Sequence, residues 1–372
     1  MSRIYSFSGM IKHLLQTDLV GLETLGRVNN CLSELQQYIA GVPSVLKLSI
    51  CTIGSYSTGL ASRSGSMVDL VVRMDGGALT AALDGDQLAL ALAAGLKDWA
   101  FLTSLTPLGN NSATLICETI DRSIVLRVRA CNTERFPVNH LYHSKLFGSY
   151  ARCDPRFVIL IIATKNWART SGFSAQVPSS DCPLSGFHWT ILVLFFLTNS
   201  GYVPNLHNPP SWLRDLPTVQ YGPRQSEHSF ASVANAEIGK RVCGLVELKE
   251  LTIPTLVSRF FEWLAKTDLL STSINMQVAG SDKKPLPPRK GWISILDPTM
   301  PWAENTIDHS FTQKSQVVFA MKLQREATLM AGLTKKASEI DLPGILCPKR
   351  VSMAFSPNSE NSVRKIDVSV PY

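Results

Sequence analysis

The feature that most constrains this chain of 372 residues is a Gly-Ser pair, Gly54-Ser55, set between two runs with the composition of β-strands. Leu46 to Ile53 precedes the pair, and Val68 to Met74 follows it after a short polar stretch. Residues two apart on a strand point to the same face of a sheet. Met67 and Asp69 are therefore expected to share one face, and only the second of them is a carboxylate.

Two carboxylates at this spacing would suit divalent metal ions. Mg²⁺ takes oxygen ligands, and a pair of such ions bridges the attacking and leaving oxygens in a phosphoryl transfer. The thioether of Met67 is a soft, weak acceptor that hard Mg²⁺ does not favour. The sequence thus keeps only half of a metal-binding pair, in the form of Asp69.

The net charge and the cysteine and histidine content indicate which partners and which kinds of site to expect. A net charge of +7 and a pI near 9.0 favour polyanionic partners, RNA foremost. Eight cysteines are scattered without a CxxC pair, which predicts reduced, buried thiols and no disulfide-linked partner. His140 and His143 are the histidines at ligand spacing, and we assign them to a loop or a helix start rather than to a metal.

No segment has the length of a membrane span, so no membrane partner is expected. The most apolar run, Trp189 to Leu197, is too short for a bilayer and predicts a buried helix. Residues 1 to 17 contain basic residues and no acid, and they resemble a mitochondrial targeting helix as well as an ordered structural helix. We expect an intracellular protein, in the mitochondrion or else in the nucleus or cytoplasm.

Periodicity divides the first part of the chain into a helical segment, residues 1–44, and an α/β domain, residues 45–150. Asp18 to Ile39 has helical spacing. Two strands flank the Gly-Ser pair. The patterns also predict a helix at Leu79 to Gly95 and two further strands, at Ala113 to Glu118 and at Ser123 to Ala130.

The second part, residues 151–340, is predicted to be helical. Its long apolar helices are Arg156 to Ser171, Ser185 to Ser200 and Ile253 to Thr267. Two Pro-rich connectors interrupt them, Asn205 to Pro223 and the basic loop Ser281 to Lys290. Residues 341–372 are polar and irregular, as in an interaction tail.

Several short motifs follow the Gly-Ser pair in a fixed order. They are Asp154-Pro155-Arg156, Lys165-Asn166-Trp167-Ala168-Arg169, Pro183-Leu184-Ser185-Gly186-Phe187, Val203-Pro204-Asn205-Leu206, Phe260-Phe261-Glu262-Trp263 and Ile295-Leu296-Asp297-Pro298. Together, over residues 45 to 325, they resemble the noncanonical poly(A) polymerases and terminal uridylyltransferases, a polymerase-beta-like nucleotidyltransferase family.

The resemblance implies an α/β nucleotidyltransferase palm and a mainly α-helical domain of the kind associated with poly(A) polymerases, with a nucleotide bound between them. It implies that Gly54 and Ser55 contact the triphosphate. Lys165 and Arg169 would neutralise its outer phosphates, and Ser185 and Phe187 would line the base and phosphate pocket. For Lys165 and Arg169, four apart on a helix, simple solvated charge is the alternative.

The chain departs from the family pattern at the positions that hold metal and nucleotide. Met67 replaces the first metal carboxylate, and Arg127 stands where the third is expected, with Arg129 on the same strand face. A cation there opposes metal binding. The Asn-Thr pair that helps hold the ribose becomes His143-Ser144, and the tyrosine that stacks on the base becomes Phe187.

These departures predict a catalytically inactive pseudo-nucleotidyltransferase, without metal or other cofactor, that serves as an RNA-binding or scaffolding subunit of a ribonucleoprotein assembly. Its partners would be RNA, proteins or both. One alternative is an active RNA 3′-terminal uridylyl- or adenylyltransferase with relocated ligands, which would use Mg²⁺ and UTP or ATP. Asp75, Glu118 and Asp121 are the acids considered for that role. Another is a nucleotide sensor that binds a triphosphate without hydrolysis.

The remaining carboxylate needs a partner if no metal binds it. If the strands align as the motifs imply, Asp69 and Arg127 lie on neighbouring strands and face the same side. The guanidinium would then occupy the space of a metal ion and satisfy Asp69 by charge-assisted hydrogen bonds. In the competing interpretation, Arg127 points away and contacts RNA phosphate.

Overall fold

The fold is given by a computed structural model that describes residues 22–41, 47–61, 67–75, 87, 100–107, 112–119, 124–132, 139–175, 182–221, 228–235, 237–239, 242, 251–280, 291–299, 306–307 and 312–338. The chain divides into two compact units, and the boundary falls between Ser144 and Lys145. We call the described residues up to Ser144 the sheet unit and those from Lys145 onward the helical unit.

The sheet unit is built on five strands in the order β1-β2-β5-β4-β3. Its elements along the chain are α1 (Leu22–Gly41), β1 (Lys47–Ile53), α2 (Gly54–Thr58), β2 (Val68–Asp75), β3 (Ala100–Pro107), β4 (Ser112–Thr119) and β5 (Val125–Asn132). Strands β2 and β5 pair in parallel, while the other neighbours are antiparallel. The parallel pair brings together two segments more than fifty residues apart in sequence.

The two faces of this sheet differ in polarity. Leu115 and Cys117 on β4, and Leu126 and Val128 on β5, are buried on one face, and burial raises the pKa of the Cys117 thiol to about 11. The residues that alternate with Leu126 and Val128 along β5 include Arg127 and Arg129, and these are only half-buried. Alternation along β5 therefore separates an apolar face from a charged one.

The helical unit begins within α3 (Asn139–Cys153), whose first turns belong to the sheet unit. Its elements are α4 (Pro155–Thr170), α5 (Gly186–Asn199), β6 (Thr218–Tyr221), β7 (His228–Ala231), α6 (Ile253–Lys266), β8 (Ser273–Ile274), β9 (Ser294–Ile295) and α7 (Gln313–Ser338). Strands β6 and β7 form a small antiparallel pair, and β8 and β9 a parallel one.

An aromatic cluster forms the core of the helical unit. The ring of Trp167 on α4 lies 4.7 Å from Phe261 on α6, 5.6 Å from Phe173 and 5.7 Å from Trp189 on α5, measured between centroids. The contacts with Phe261 and Trp189 are edge-to-face and the contact with Phe173 is stacked. Both geometries stabilise a core beyond the burial of their area. The tryptophan of the KNWAR motif thus holds three segments of this unit together.

The structure confirms the strands and helices expected from periodicity where it describes them, with ends shifted by a few residues. The connector Asn205 to Pro223 is a partial exception, because its second half contains β6. Helices α3 and α7 and strands β3, β7, β8 and β9 were not among the predicted elements. The predicted helix Leu79 to Gly95 and basic loop Ser281 to Lys290, together with residues 1 to 17 and 341–372, lie outside the described residues apart from Gln87. None of the helices in the described ranges has the length and apolarity needed to cross a membrane.

Candidate functional site

Asp69 and Arg127 lie directly opposite each other in the sheet unit. The parallel register pairs Asp69 of β2 with Arg127 of β5, and Val71 with Arg129 two residues further on. This confirms the strand alignment that the sequence predicted. Because side chains two apart share a face, both arginines stand on the face that carries Asp69.

The two side chains form an ion pair. Arg127 Nε lies 3.1 Å from Asp69 Oδ1, and the side chains keep 25% and 18% of their surface exposed. The predicted pair is therefore confirmed, and the interpretation in which Arg127 turns away from Asp69 is wrong. Within the described residues Arg127 Nε makes no hydrogen bond. The contact at this atom is thus electrostatic rather than the charge-assisted hydrogen bond that was expected.

A second arginine adds positive charge to the same face. Burial lowers the pKa of Arg129, Asp69 counteracts this effect, and the like charge of Arg127 reinforces it. A guanidinium nitrogen of Arg129 contacts His140 Nε2, from the first turn of α3. The His140 ring in turn lies 5.9 Å from the ring of His143. Two guanidinium groups therefore share one sheet face with one carboxylate, and the local charge favours an anion over a metal cation.

Gly54 is required by the close approach of Asp69. Its φ of 70° lies in the left-handed region, and a Cβ there would stand 2.8 Å from Asp69 Oδ2. The N–H of Gly54 donates to Ser144 Oγ at 2.9 Å, and Ser144 Oγ donates to the carbonyl of His140 at 2.8 Å. Ser55 is half-buried in the short helix α2. The turn is therefore braced by α3, and its proposed contact with a triphosphate stays a prediction.

The helical unit carries the other residues that the resemblance assigns to a nucleotide. The side chain of Lys165 on α4 passes over Gly186 at the start of α5, where a Cβ would lie 3.2 Å from Lys165 Cε. Arg169 is exposed, and its Nη2 donates to Asn166 Oδ1 at 2.6 Å. Lys165 is thus near the amino end of α5, whereas the visible contact of Arg169 is local. Their roles toward phosphate remain predictions.

Ser185 and Phe187 take part in the start of α5. The Ser185 N–H donates to His188 Nδ1 at 2.9 Å, and its Oγ lies 3.0 Å from the same nitrogen. Phe187 is half-buried and packs on Phe147 at 5.7 Å between centroids. Burial lowers the pKa of His188 to about 4, although the carbonyl of Thr306 partly opposes the shift. His188 is therefore a neutral structural partner of Ser185.

Solved structures show which fold this is. The Cid1 poly(U) polymerase superposes with a TM-score of 0.65 and 13% identity, over 91% of this chain and 96% of its own. A cytoplasmic RNA terminal U-transferase gives 0.65 and 14%, covering 90% and 95%. The mtPAP protein in complex with ATPγS gives 0.65 and 16%, covering 89% and 70%. This chain has their nucleotidyltransferase fold. No protein-family model matches the sequence, and a search of curated proteins finds no relative.

The nucleotidyltransferase fold confirms the α/β fold class that the sequence resemblance implied, with its sheet-based palm and mainly helical second part. At 13 to 16% identity the likeness concerns the fold alone. The functional residues of this chain must therefore be judged from their own chemistry and contacts.

The residues at the expected metal position do not fit two Mg²⁺ ions. Met67 offers a half-buried thioether, Arg127 brings a guanidinium, and Asp69 is engaged in an ion pair. Hard divalent cations need several oxygen ligands and are repelled by an adjacent cation. In the part of the chain that the structure describes, no three His, Cys, Asp or Glu side chains are grouped as a metal site would require. No chemical step is therefore assigned to a metal here.

Two contacts at the site were missed in the sequence. His140 and His143 lie in the first two turns of α3, as a helix start predicts, but the contact of His140 with Arg129 was not foreseen. His188 was also overlooked, although it occupies the third position of α5 after the cap Ser185, where a capping partner is common.

Proposed function

We propose that this chain is a pseudo-nucleotidyltransferase, a protein with the fold of RNA-terminal transferases that has no transferase activity and serves as an RNA-binding or scaffolding subunit of a ribonucleoprotein assembly. The observation that carries the proposal is the ion pair between Arg127 Nε and Asp69 Oδ1, 3.1 Å apart. The guanidinium supplies the positive charge that metal ions would otherwise provide to the carboxylate.

The chemistry of the substituted residues supports the loss of catalysis. In a phosphoryl transfer, metal ions neutralise the charge that develops on the attacking and leaving oxygens. An arginine in contact with Asp69 neutralises that carboxylate and repels a metal ion that would have to bind both the protein and a phosphate. Methionine at position 67 adds no oxygen ligand.

The role in RNA binding rests on charge and fold. The chain has a net charge of +7, and two structural neighbours are named a poly(U) polymerase and an RNA terminal U-transferase. The exposed guanidinium of Arg169 and the basic loop at Lys283 to Lys290, which lies outside the described residues, are candidates for phosphate contacts. Loss of chemistry with retention of the fold is consistent with function residing in sites.

A nucleotide sensor is the second candidate, and one contact favours it. Lys165 reaches the amino end of α5, a helix of 14 residues, and such helix ends attract phosphate through unpaired N–H groups. This half of a phosphate site does not depend on Asp69. The sensor would be favoured if the natural chain bound UTP or ATP without divalent metal and the Lys165→Met variant did not.

Catalytic inactivity is tested by incubating the purified full chain with labelled RNA, UTP or ATP, and Mg²⁺ or Mn²⁺. We expect no extension, since the loss of metal stabilisation costs about five orders of magnitude or more in rate. An Asp69→Asn variant is the control for contaminating activity. Extension by the natural chain that disappears in Asp69→Asn would overturn the proposal and favour an active enzyme with relocated ligands.

The proposed cause of inactivity is tested by restoring carboxylates. Met67→Asp alone should not bind Mn²⁺, because Arg127 still repels the ion. Met67→Asp combined with Arg127→Asp should bind it, as measured by electron paramagnetic resonance on samples whose circular dichroism matches that of the natural chain. Binding by the single variant would show that Arg127 is not the obstacle.

The scaffolding role is tested by co-purification from cells. Deleting Lys283 to Lys290 together with residues 341–372 should release the RNA and proteins that dock on these two segments while the remaining chain stays folded. Unchanged co-purification would contradict a docking role for these two segments. Absence of any RNA or protein from the natural chain would contradict the scaffolding role itself.

A further inference from the structure

The long helix α7 presents large apolar side chains to solvent. Val318, Met321, Leu329 and Leu333 are 44%, 64%, 53% and 61% exposed. Among the described residues, Trp212 is the one other large hydrophobic side chain that is exposed. Scattered apolar residues are normal on protein surfaces, but a concentration on one element marks an interaction site.

These side chains form one stripe along the helix. Met321, Leu329 and Leu333 follow Val318 by three, eleven and fifteen residues, which places them roughly one, three and four turns further on the same side. The stripe is about 22 Å long at the rise of an α-helix. The opposite side of α7 is buried through Phe319, Leu323 and Ala327. The chain therefore covers one apolar face of this helix and leaves a second one open.

Gly332 lies within this stripe, between Leu329 and Leu333. A Cβ added there would have no atom within 4 Å, so the contacts of the chain itself do not require glycine. Glycine inside a helix costs about 1 kcal/mol relative to alanine. A glycine on an exposed apolar stripe permits close approach by another backbone, which points to a partner element that packs directly on α7.

Charge defines the chemistry of that partner. Four exposed basic residues accompany the stripe. Lys322 and Arg325 lie within it, between Met321 and Leu329, while Lys314 precedes it and Lys335 lies at its margin. Within Gln313–Ser338 the sequence has five basic residues and one acidic residue, Glu326. An apolar stripe that also carries basic residues complements an amphipathic helix whose apolar seam is accompanied by acidic residues.

We propose that the exposed stripe of α7 is a docking surface for a partner protein that presents an acidic amphipathic helix. RNA complements the basic residues but offers no counterpart to four exposed aliphatic side chains. Residues 341–372 of the chain itself carry four basic and three acidic residues, so they lack the acidic character required. The stripe is narrow, as in a helix–helix seam, and contains Arg325, which opposes insertion into a bilayer. The inference holds whether or not the chain is catalytic.

The occupant is identified by placing a photo-crosslinking amino acid in the full chain at Met321 or Leu333, with Trp212 as the control position elsewhere on the surface. After irradiation in extracts of the source cells, mass spectrometry maps the linked peptides. We expect both helix positions to link to one segment of a partner that has helical apolar spacing and flanking acids. Linkage to residues 341–372, to a second copy, to RNA or to lipid, or no linkage, would overturn the proposal.

A defined probe tests the charge and packing requirements. A synthetic helical peptide with a leucine seam and glutamate margins should bind the full chain, as measured by fluorescence anisotropy. The same peptide with lysine margins should not bind. Leu329→Glu with Leu333→Glu should weaken binding about 100-fold, as expected for central contacts of an interface. Equal binding of both peptides, or equal binding of vesicles containing phosphatidylserine, would refute the proposal.

Gly332→Ala separates docking from folding. This substitution should raise the unfolding temperature, since alanine is the better helix former, and yet weaken the glutamate peptide about tenfold by blocking close approach. Thr328→Ala, exposed on the same helix but outside the stripe, should leave binding unchanged. Binding that is insensitive to Gly332→Ala would exclude close packing at this point and, with it, the proposed seam.

Discussion

Each unit of the molecule contains an Arg–Asp pair, and the two pairs have different surroundings. In the helical unit Asp154 caps α4, and its carboxylate accepts from the N–H of Arg156 at 2.8 Å and from the Arg156 side chain at 2.5 to 3.0 Å. Arg156 also donates to the carbonyl of Leu251 at 2.5 Å. In the sheet unit Asp69 and Arg127 come from distant segments, and Arg127 Nε makes no hydrogen bond in the described part of the chain.

The two pairs illustrate two kinds of motif residue: those whose contacts stabilise the fold, and those expected to take part in a reaction. The helical unit keeps motif residues whose contacts are structural: Trp167 joins aromatic rings from three segments, and Asn205 Nδ2 donates to the carbonyls of Met276, Gln277 and Ala279. At the expected metal position the sheet unit offers one carboxylate, Asp69, beside Met67 and Arg127. A resemblance that rests on structural residues therefore predicts the fold but does not predict catalytic activity.

The largest expected effect comes from removing one acid from each pair. Asp154→Ala should cost about 3 to 5 kcal/mol, because it removes a helix cap and leaves the partly buried Arg156 without its acid. Asp69→Ala should cost only about 1 kcal/mol, since Asp69 caps no helix and its contact with Arg127 Nε lacks hydrogen-bond geometry. The free energy of unfolding from denaturant titration measures both. Equal losses would show that the pair in the sheet unit is as structural as the one in the helical unit.

A smaller effect is expected at the turn that carries Asp69. Gly54→Ala must adopt a φ of 70° and place its Cβ 2.8 Å from Asp69 Oδ2. We expect a cost of about 2 kcal/mol, roughly half of it from the left-handed backbone. Gly172→Ala is a matched control, because its φ is 77° and no atom lies within 4 Å of the added Cβ. If the two variants lose the same stability, Asp69 moves freely and is not held by Arg127.

The smallest effect concerns His188 in the helical unit. Its pKa is lowered to about 4 in the folded chain, while the unfolded chain binds a proton near the ordinary value. Below pH 6.5 the unfolded state therefore gains a proton that the folded state lacks, and stability falls until the pH reaches about 4. Between pH 7 and pH 5.5 this contributes a loss of about 1 kcal/mol.

His188→Gln provides the comparison, because the amide oxygen can accept from the Ser185 N–H but does not titrate. Tryptophan fluorescence during denaturation, recorded at several pH values, measures the slope. The variant should show a flatter dependence on pH than the natural chain. Identical slopes would mean that His188 takes up its proton equally in the folded and unfolded states.

Local periodicity predicted helices α1, α4, α5 and α6 and four strands of the large sheet, but it did not predict helices α3 and α7 or strand β3. The alternation in β2 and β5 predicted both strands, and the family resemblance implied that Asp69 and Arg127 share a face. Strand β3 was missed, and its pairing with β4 shifts register between Leu102 and Ser104. An extra residue in one strand breaks the alternation of side chains on which the prediction depends.

The sequence implied, through its resemblance to a known family, that Asp69 would face Arg127, because the family alignment makes their strands neighbours and strand periodicity specifies which residues share a face. The tertiary structure decided what surrounds the Asp69 carboxylate. His140 contacts Arg129 and Ser144 accepts from Gly54, both from α3, and burial lowers the pKa of Arg129. It also decided that the stripe on α7 is exposed, since this helix carries apolar residues on two sides. Periodicity is a property of one element, whereas burial depends on which distant segments pack against it.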